Sequence, residues 1–437
     1  MTSRSSKLLA AFLLVLGFPL TVAPGFAQPN FSGVVAFGDS LTDAGNVGNN
    51  NGLSTNSQNQ SGRGYGGTWA VQLAAQLGYN LTASNSGGTD FAVGGQNSAQ
   101  IVDQVNNSYL SGVGGKASPT TLYLMLGGIN DWWGDEPSAR ASANNLNNAI
   151  VSLINAGAKY IVWVNMISAD TSPGLQGSGY VNFRNNVGYF LDQWATDVAN
   201  LRSSYPGVTI YAIDEYRQDQ LLGANAGAFD INTSVGFTQA DASVRGAQAS
   251  DSPNADLFSS WDGGHPTTWM HFITASNCYA AITGLPVDGS YNIVNLNSGI
   301  NLDTVNQSTS NGTLVDQATP NSNSATQQWD VISAGMSPNI YLLINHASGR
   351  LLEVYGQATN SGAAVDIWDN TYNPNQRWIV TGSNSGSYTV TGQQSGNNLE
   401  VWGFWVTNGA AVDVWAPTGG ANQGWLFNRL DQSPQPK

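Results

Sequence analysis

Three copies of Gln-x-Trp, at Gln327-Gln328-Trp329, Gln376-Arg377-Trp378 and Gln423-Gly424-Trp425, stand 49 and 47 residues apart. Two further segments repeat in step with them. Ser298–Asp303 matches Ser348–Glu353 and Ser395–Glu400, and Gly312–Asp316 matches Gly362–Asp366 and Gly409–Asp413. A unit of this length without helical periodicity cannot bury its apolar face alone, so the copies must close on one another around a shared core. Trp329, Trp378 and Trp425 are expected to anchor that core. The pattern begins after Leu285-Pro286-Val287-Asp288, so 285–288 read as a linker and 289–430 as an all-β domain. Residues 431–437, with two prolines, read as a disordered tail.

Before the linker the texture differs. Thr121–Leu126, Tyr160–Asn165 and Val208–Ile213 read as buried strands. Ala139–Ala156 and Val181–Leu201 place apolar residues at helical spacing, as in Ala143, Leu146, Ile150 and Leu153. Such alternation implies a mostly parallel sheet between helices, with active residues in loops at the carboxyl ends of its strands. The amino terminus has basic Arg4 and Lys7, the apolar run Leu8–Phe18 and small residues at Gly25 and Ala27. Residues 1–27 therefore read as a secretory signal peptide, which makes the expected location extracellular and leaves 29–284 as the α/β domain. No later stretch is long and apolar enough for a transmembrane segment. Without the leader, 12 basic residues face 28 acidic ones, a net charge of −16 that opposes nucleic acid and anionic lipid. Cys278 is the only cysteine, which excludes an internal disulfide, and no His-Glu-x-x-His occurs. No metal or other cofactor is expected, and the chain is expected to be a monomer.

Gly38-Asp39-Ser40-Leu41 follows the apolar run Val34–Phe37, which puts a hydroxyl at a strand end. A serine is a weak nucleophile until a base, an orienting group and oxyanion donors join it. The chain has three histidines. His346 falls in a loop of the repeats, and His271 falls inside an apolar helical stretch that suits a packed structural role. His265 lies in Trp261-Asp262-Gly263-Gly264-His265-Pro266, where Asp262 is spaced to meet Nδ1 and leave Nε2 for Ser40. The Ser40 N–H and the Asn130 amide, in Gly127-Gly128-Ile129-Asn130-Asp131, are candidate oxyanion donors. The turn Val93-Gly94-Gly95-Gln96 offers another N–H, from Gly94 or Gly95. Gly62-Arg63-Gly64-Tyr65-Gly66-Gly67 imitates a dinucleotide loop but follows no strand pattern.

Together these blocks resemble the GDSL (SGNH) hydrolases: Phe37–Asn46 the first block, Gly94 in the second, Gly128-x-Asn130-Asp131 the third and Asp262-x-x-His265-Pro266 the last. The resemblance implies a three-layer α/β SGNH fold with Ser40 as nucleophile, His265 as base and Asp262 as its orienter. It also implies Ser40, Gly94 and Asn130 as oxyanion donors in carboxylic-ester hydrolysis through an acyl-enzyme. The C-terminal repeats resemble the cysteine-free ricin-B-type lectins, which implies a β-trefoil that binds sugar. An aromatic face for the ring and acceptors for its hydroxyls are offered by Glu353, Trp368, Asp369 and Asn375 in repeat two. Repeat three offers Glu400, Trp415 and Asn422, whereas repeat one has Asp303 and Asn323 but no matching tryptophan. The expected partners are an ester substrate, such as acetylated polysaccharide or lipid ester, and a glycan. A secreted phospholipase or lipase is the alternative enzyme, and a lectin or toxin with an inactive hydrolase domain the alternative of another class.

Overall fold

The structure, a computed structural model, describes residues 30–47, 67–240, 255–383 and 386–431. The expected signal peptide and the tail after Asp431 lie outside the described residues. Strands β1 (Gly33–Gly38), β2 (Thr121–Leu126), β3 (Tyr160–Val164) and β4 (Thr209–Ile213) pair in parallel in that order. All of β2 is buried, as a strand covered on both faces must be, which explains its unbroken apolar run. The other edge of β1 carries residues 89–93. Ala36 N–H donates to the Thr89 carbonyl at 3.1 Å, Phe91 N–H to Ala36 at 2.8 Å and Val93 N–H to Gly38 at 3.1 Å. The first strand is thus flanked by the second and third extended segments of the chain. Such a reversal opens a crevice at the carboxyl ends of the strands.

Helices α1 (Trp69–Gln76), α2 (Ser98–Asp103), α3 (Glu136–Ala156), α4 (Val181–Ser204), α5 (Glu215–Ala224) and α6 (Thr268–Thr283) surround this sheet. α2, α3 and α4 pack in succession, and α1 packs on α6. α3 starts where Asp135 and Ser138 form a reciprocal capping box and stops at Gly157, with Ala139, Ala143, Leu146, Ile150 and Leu153 turned inward. α6 is buried almost all round, which accounts for its weak amphipathic pattern and for the buried Cys278 and His271.

The repeats give strands β5 (Gly289–Asn295), β6 (Asn301–Thr304), β7 (Thr313–Ala318) and β8 (Gln328–Ser333), then β9 (Ile340–Asn345), β10 (Arg350–Val354), β11 (Ala363–Trp368) and β12 (Trp378–Gly382). The third unit is β13 (Tyr388–Gly392), β14 (Asn398–Val401), β15 (Ala410–Trp415) and β16 (Trp425–Arg429). The outer strands of each unit pair around a closed ring, β5-β8-β9-β12-β13-β16 and back to β5. The inner pairs form hairpins whose second strands β7, β11 and β15 pair with one another and cap the ring. This is a β-trefoil. Trp329, Trp378 and Trp425 are fully buried, and their indole N–H groups donate to the Leu302, Leu352 and Leu399 carbonyls at 3.1, 2.9 and 2.9 Å. One polar handle per repeat is satisfied in the same way each time.

The expected linker is instead a packed junction. Val287 and Asp288 are buried, and Asp288 accepts from Gln218 Nε2, the Asn277-bound turn being closed by its own N–H. Its other oxygen accepts Ser333 N–H across the boundary at 2.9 Å. Trp269, Met270 and Ile273 of α6 join Phe229 and Ile231 against Ile332, Leu342, Ile344 and Leu351 of the trefoil in one apolar cluster. Each such side chain contributes about 1.5–3 kcal/mol when fully buried, so the two domains hold each other firmly. Of the expected tail 431–437, only Asp431 is among the described residues. Asp431 is ordered, its buried carboxylate 2.7 Å from Arg429 Nε.

Candidate active site and glycan-binding faces

Ser40 lies just past β1, where Gly38 makes the exit possible. Gly38 has φ +157°, and a Cβ there would sit 2.4 Å from the Leu126 carbonyl oxygen. Asp39 Oδ1 accepts Leu41 N–H at 3.0 Å and shapes the turn. The structure brings Ser40 Oγ to 3.1 Å from His265 Nε2, and His265 Nδ1 to 2.8 Å from Asp262 Oδ2. Asp262 Oδ1 accepts the N–H groups of Gly264 and His265 at 3.0 and 2.8 Å, so the carboxylate folds its own loop around the imidazole. That loop is clamped from outside. Trp261 N–H donates to the His265 carbonyl at 2.7 Å, and Gly174 N–H donates to the Gly263 carbonyl at 2.6 Å.

Asn130 projects from the end of β2. Gly128 turns the chain at φ +108°, and Asp131 accepts Ser98 N–H and Oγ–H at 2.9 and 2.7 Å. One Asn130 amide hydrogen goes to the Gln96 carbonyl at 3.0 Å, which joins the two donor loops. The Ser40 N–H has no acceptor among the described residues, as a waiting oxyanion donor should not. Gly94 departs from expectation. It lies beside the serine, with an added Cβ 3.7 Å from Ser40 Cβ, but its N–H donates to Asp43 Oδ2 at 2.9 Å. Asp43 also gathers the N–H groups of Gly45, Asn46 and Val47, so a turn-forming carboxylate takes the Gly94 donor. The Gly95 N–H, at φ +80°, has no acceptor among the described residues. Sequence reasoning also missed Trp132. It is exposed, in the left-handed region at φ 49°, with its ring centroid 5.4 Å from that of Tyr180. A bulky residue strained beside Asn130 was signalled only by its place after the Asn-Asp block.

In the trefoil, Glu353 and Glu400 accept from Gln376 Nε2 and Gln423 Nε2, each at 2.7 Å, and Asp303 accepts from Gln327 at 3.0 Å. The first residue of each Gln-x-Trp therefore holds the acid of its own repeat. Asn375 and Asn422 donate to the Val354 and Val401 carbonyls at 3.0 and 3.1 Å, and each leaves a buried Oδ1 without a partner. The equivalent position in repeat one is Thr326, not Asn323. Trp368 and Trp415 are partly exposed, with ring edges over Gly312 and Gly362. Asp369 is engaged elsewhere. Its carboxylate meets Arg350 Nε at 3.2 Å and Asn311 Nδ2 at 2.7 Å, tying repeat two to repeat one. Asp366 pairs opposite Glu353 across the hairpin and has both oxygens buried and unpartnered. Burial and the Glu353 charge push Asp366 up to about 7. Asp413, opposite Glu400, is its counterpart in repeat three. The repeat alignment contained both, but nothing in it showed them to lack partners.

A family model for GDSL-like lipase/acylhydrolases matches residues 34–277, more than half of the chain. The chain belongs to that family. A ricin-type β-trefoil lectin-like model matches 283–368. An uncharacterised protein of the trpE–trpG intergenic region of Pseudomonas putida is 29% identical over a 184-residue alignment, with coverage of 33% of this chain and 30% of that protein. The chain thus spans about a third of the length of the curated relative it matches. Among solved structures, the designed threefold-symmetric protein ThreeFoil is 33% identical over 33% of this chain and 100% of its own, with TM-score 0.31. An exo-β-1,3-galactanase from Clostridium thermocellum is 28% identical over 33% of this chain and 31% of its own, also at TM-score 0.31.

The electrostatics of this GDSL-family site favour a proton relay. Burial works against charge on His265, but the hydrogen bond and charge of Asp262, with the Asp39 carboxylate behind, raise its pKa above the ordinary value. Burial likewise opposes charge on Asp262, yet His265 and the two loop N–H groups bring it down to about 2. Asp262 therefore stays a carboxylate, and Nδ1 carries the hydrogen that leaves Nε2 basic toward Ser40. Burial holds Asp39 up at about 7, and its second oxygen has no partner, so it acts on His265 only through space. Burial and the His265 charge drop His271 to about 3, a neutral packed imidazole.

Proposed function

We propose that this GDSL-family chain is a secreted serine ester hydrolase that its trefoil holds on glycan. The Ser40–His265–Asp262 relay at 3.1 and 2.8 Å carries the proposal. His265 Nε2 takes the Ser40 proton as Oγ attacks the ester carbonyl, and Asp262 stabilises the imidazolium that forms. The oxyanion falls to the Ser40 N–H and the free Asn130 amide hydrogen, with Gly95 in place of Gly94. The imidazolium then protonates the leaving alcohol, and water repeats the sequence on the acyl-enzyme. Acetylated polysaccharide is the favoured substrate because a bound glycan concentrates its own esters near Ser40. Extracellular location rests on the leader read in residues 1–27.

The test is hydrolysis of p-nitrophenyl acetate and of acetylated xylan. Ser40→Ala and His265→Ala should each lower turnover by several orders of magnitude while the circular-dichroism spectrum is unchanged. A Ser40→Ala protein as fast as its parent would end the assignment. Faster cleavage of long-chain nitrophenyl esters than of acetyl esters would move the substrate to lipid.

A further inference from the structure

Repeat three carries an aromatic loop that the other repeats lack. Trp402, Phe404 and Trp405 are 52%, 54% and 51% exposed, and Val406 continues the patch. The loop conformation is common to all repeats: Asn306, Gly356 and Gly403 have φ 56°, 59° and 61°, and the next residue follows at similar values. The side chains differ. Repeat one has Val305, Gln307 and Ser308 at these positions, and repeat two has Tyr355, Gln357 and Ala358.

Three observations make this patch a built surface rather than a stray apolar loop. First, its backbone is held from repeat one. Asn297 Nδ2 donates to the Phe404 carbonyl at 3.2 Å, and Gln317 Nε2 donates to those of Trp405 and Thr407 at 3.1 and 2.9 Å. Second, the rings are ordered on each other, with Trp402 and Trp405 near-parallel at 10° and 6.5 Å between centroids. Third, the patch borders unpaired acceptors. A Cβ on Gly420 would lie 2.6 Å from Asn422 Oδ1 and 2.8 Å from the Phe404 ring, so ring and amide share one edge. Asn422 Oδ1 and Asp413 Oδ1 are both buried without a hydrogen-bond partner. A lipid tail would leave these acceptors unpaired, whereas sugar hydroxyls satisfy them. The chain's net charge of −14 also favours a neutral ligand.

We propose that loop 402–406 extends the repeat-three site into a platform for several consecutive sugar units of one neutral polysaccharide chain. The Glu400–Asp413–Asn422 side receives one unit, and Trp402, Phe404 and Trp405 stack its neighbours. Repeat one leaves room alongside. It has Ala318 where repeats two and three have Trp368 and Trp415, and a Cβ on the facing Gly409 would meet nothing within 4 Å. This inference rests on the sugar-binding reading of the trefoil.

The test uses the full chain carrying Ser40→Ala, so that bound esters survive. Electrophoresis through gels containing xylan, galactan or β-glucan identifies a retarding polymer, and calorimetry follows with its disaccharide to hexasaccharide. The expected Kd falls roughly three- to tenfold from the shortest to the longest oligomer, the scale of one or two ring stackings. Trp402→Ala with Trp405→Ala should erase that gain, and the Phe versions of the same pair should restore much of it. A Kd independent of length, or an Ala pair that binds long oligomers like its parent, overturns the platform while leaving sugar binding in place. Sedimentation with phosphatidylcholine vesicles that the Ala pair abolishes and oligomers do not compete would make the patch a lipid contact. If no polymer retards the protein and no oligomer binds, the sugar-binding reading itself falls, and the platform with it.

Discussion

Replacing Asp262 with asparagine isolates the relay from the loop it sits in. The carboxylate accepts three hydrogen bonds, from the N–H groups of Gly264 and His265 at Oδ1 and from His265 Nδ1 at Oδ2. An asparagine keeps both backbone bonds by placing its amide oxygen at the Oδ1 position. Its NH2 then faces Nδ1 and must donate, so the imidazole hydrogen moves to Nε2 and points at Ser40. The base is present but carries its proton on the wrong side. The rotated alternative would set NH2 against two N–H donors and lose both loop bonds. Loss of turnover should be on the order of a thousand- to ten-thousandfold, as for the same substitution in other serine triads. Stability should fall only by about 1–3 kcal/mol, the difference between a charge-assisted and a neutral hydrogen bond set. The assay is p-nitrophenyl acetate hydrolysis from pH 5 to 9 with thermal unfolding of both proteins under the same buffers. A variant that retains a tenth of the parental rate at its optimum refutes the tautomer argument. A variant that has lost its cooperative transition shows that Asp262 mainly holds the loop.

The pH profile itself is a second prediction. His265 is raised above 6.5 and must be neutral to accept the Ser40 proton, so kcat/KM should fall as pH drops through a value above 6.5. An acid limb at or below 6.5 would mean that Asp262 does not stabilise the imidazolium. Gly335→Ala probes the junction. Gly335 has φ +68°, and a Cβ there would sit 2.1 Å from Nε1 of the fully buried Trp269. The variant should lose roughly 1–3 kcal/mol through overpacking, seen as a lower thermal midpoint and faster proteolytic separation of the domains. An unchanged midpoint would show the boundary to be loose.

The long, periodic elements could be read from the residues because their pattern is local. Thr121–Leu126 is a strand over its full expected length, and the three tryptophans of the Gln-x-Trp segments lie at the trefoil core as their spacing required. Ser40, Asp262 and His265 could be picked out because histidine is scarce and each falls beside a glycine turn. What the residues hid were competitions for donors and acceptors. Nothing local distinguishes a Gly94 N–H aimed at substrate from one held by Asp43, fifty-one residues earlier in the chain. Asp369 and Asp366 look equivalent beside Trp368, and only the Arg350 and Asn311 contacts separate the anchored carboxylate from the buried, unpartnered one. Residues 285–288 read as a linker because the repeat pattern begins just after them, yet burial of Asp288 depends on Gln218 and Ser333 from opposite domains.

If the trefoil binds glycan as proposed, that packed junction alters what it can do for the hydrolase domain. A flexible tether lets the active site sweep every ester within reach and raises the effective concentration of all of them. Here the apolar cluster of Trp269, Ile332 and Leu351 fixes the interval between trefoil and Ser40. On the proposed function, the junction would work as a ruler for a glycan held on the trefoil: esters at one contour distance from the anchored unit would meet the serine, and those nearer or farther would wait until the chain is released and gripped again. The spacing of deacylated positions along a long substrate would then be written by the protein rather than by the polymer.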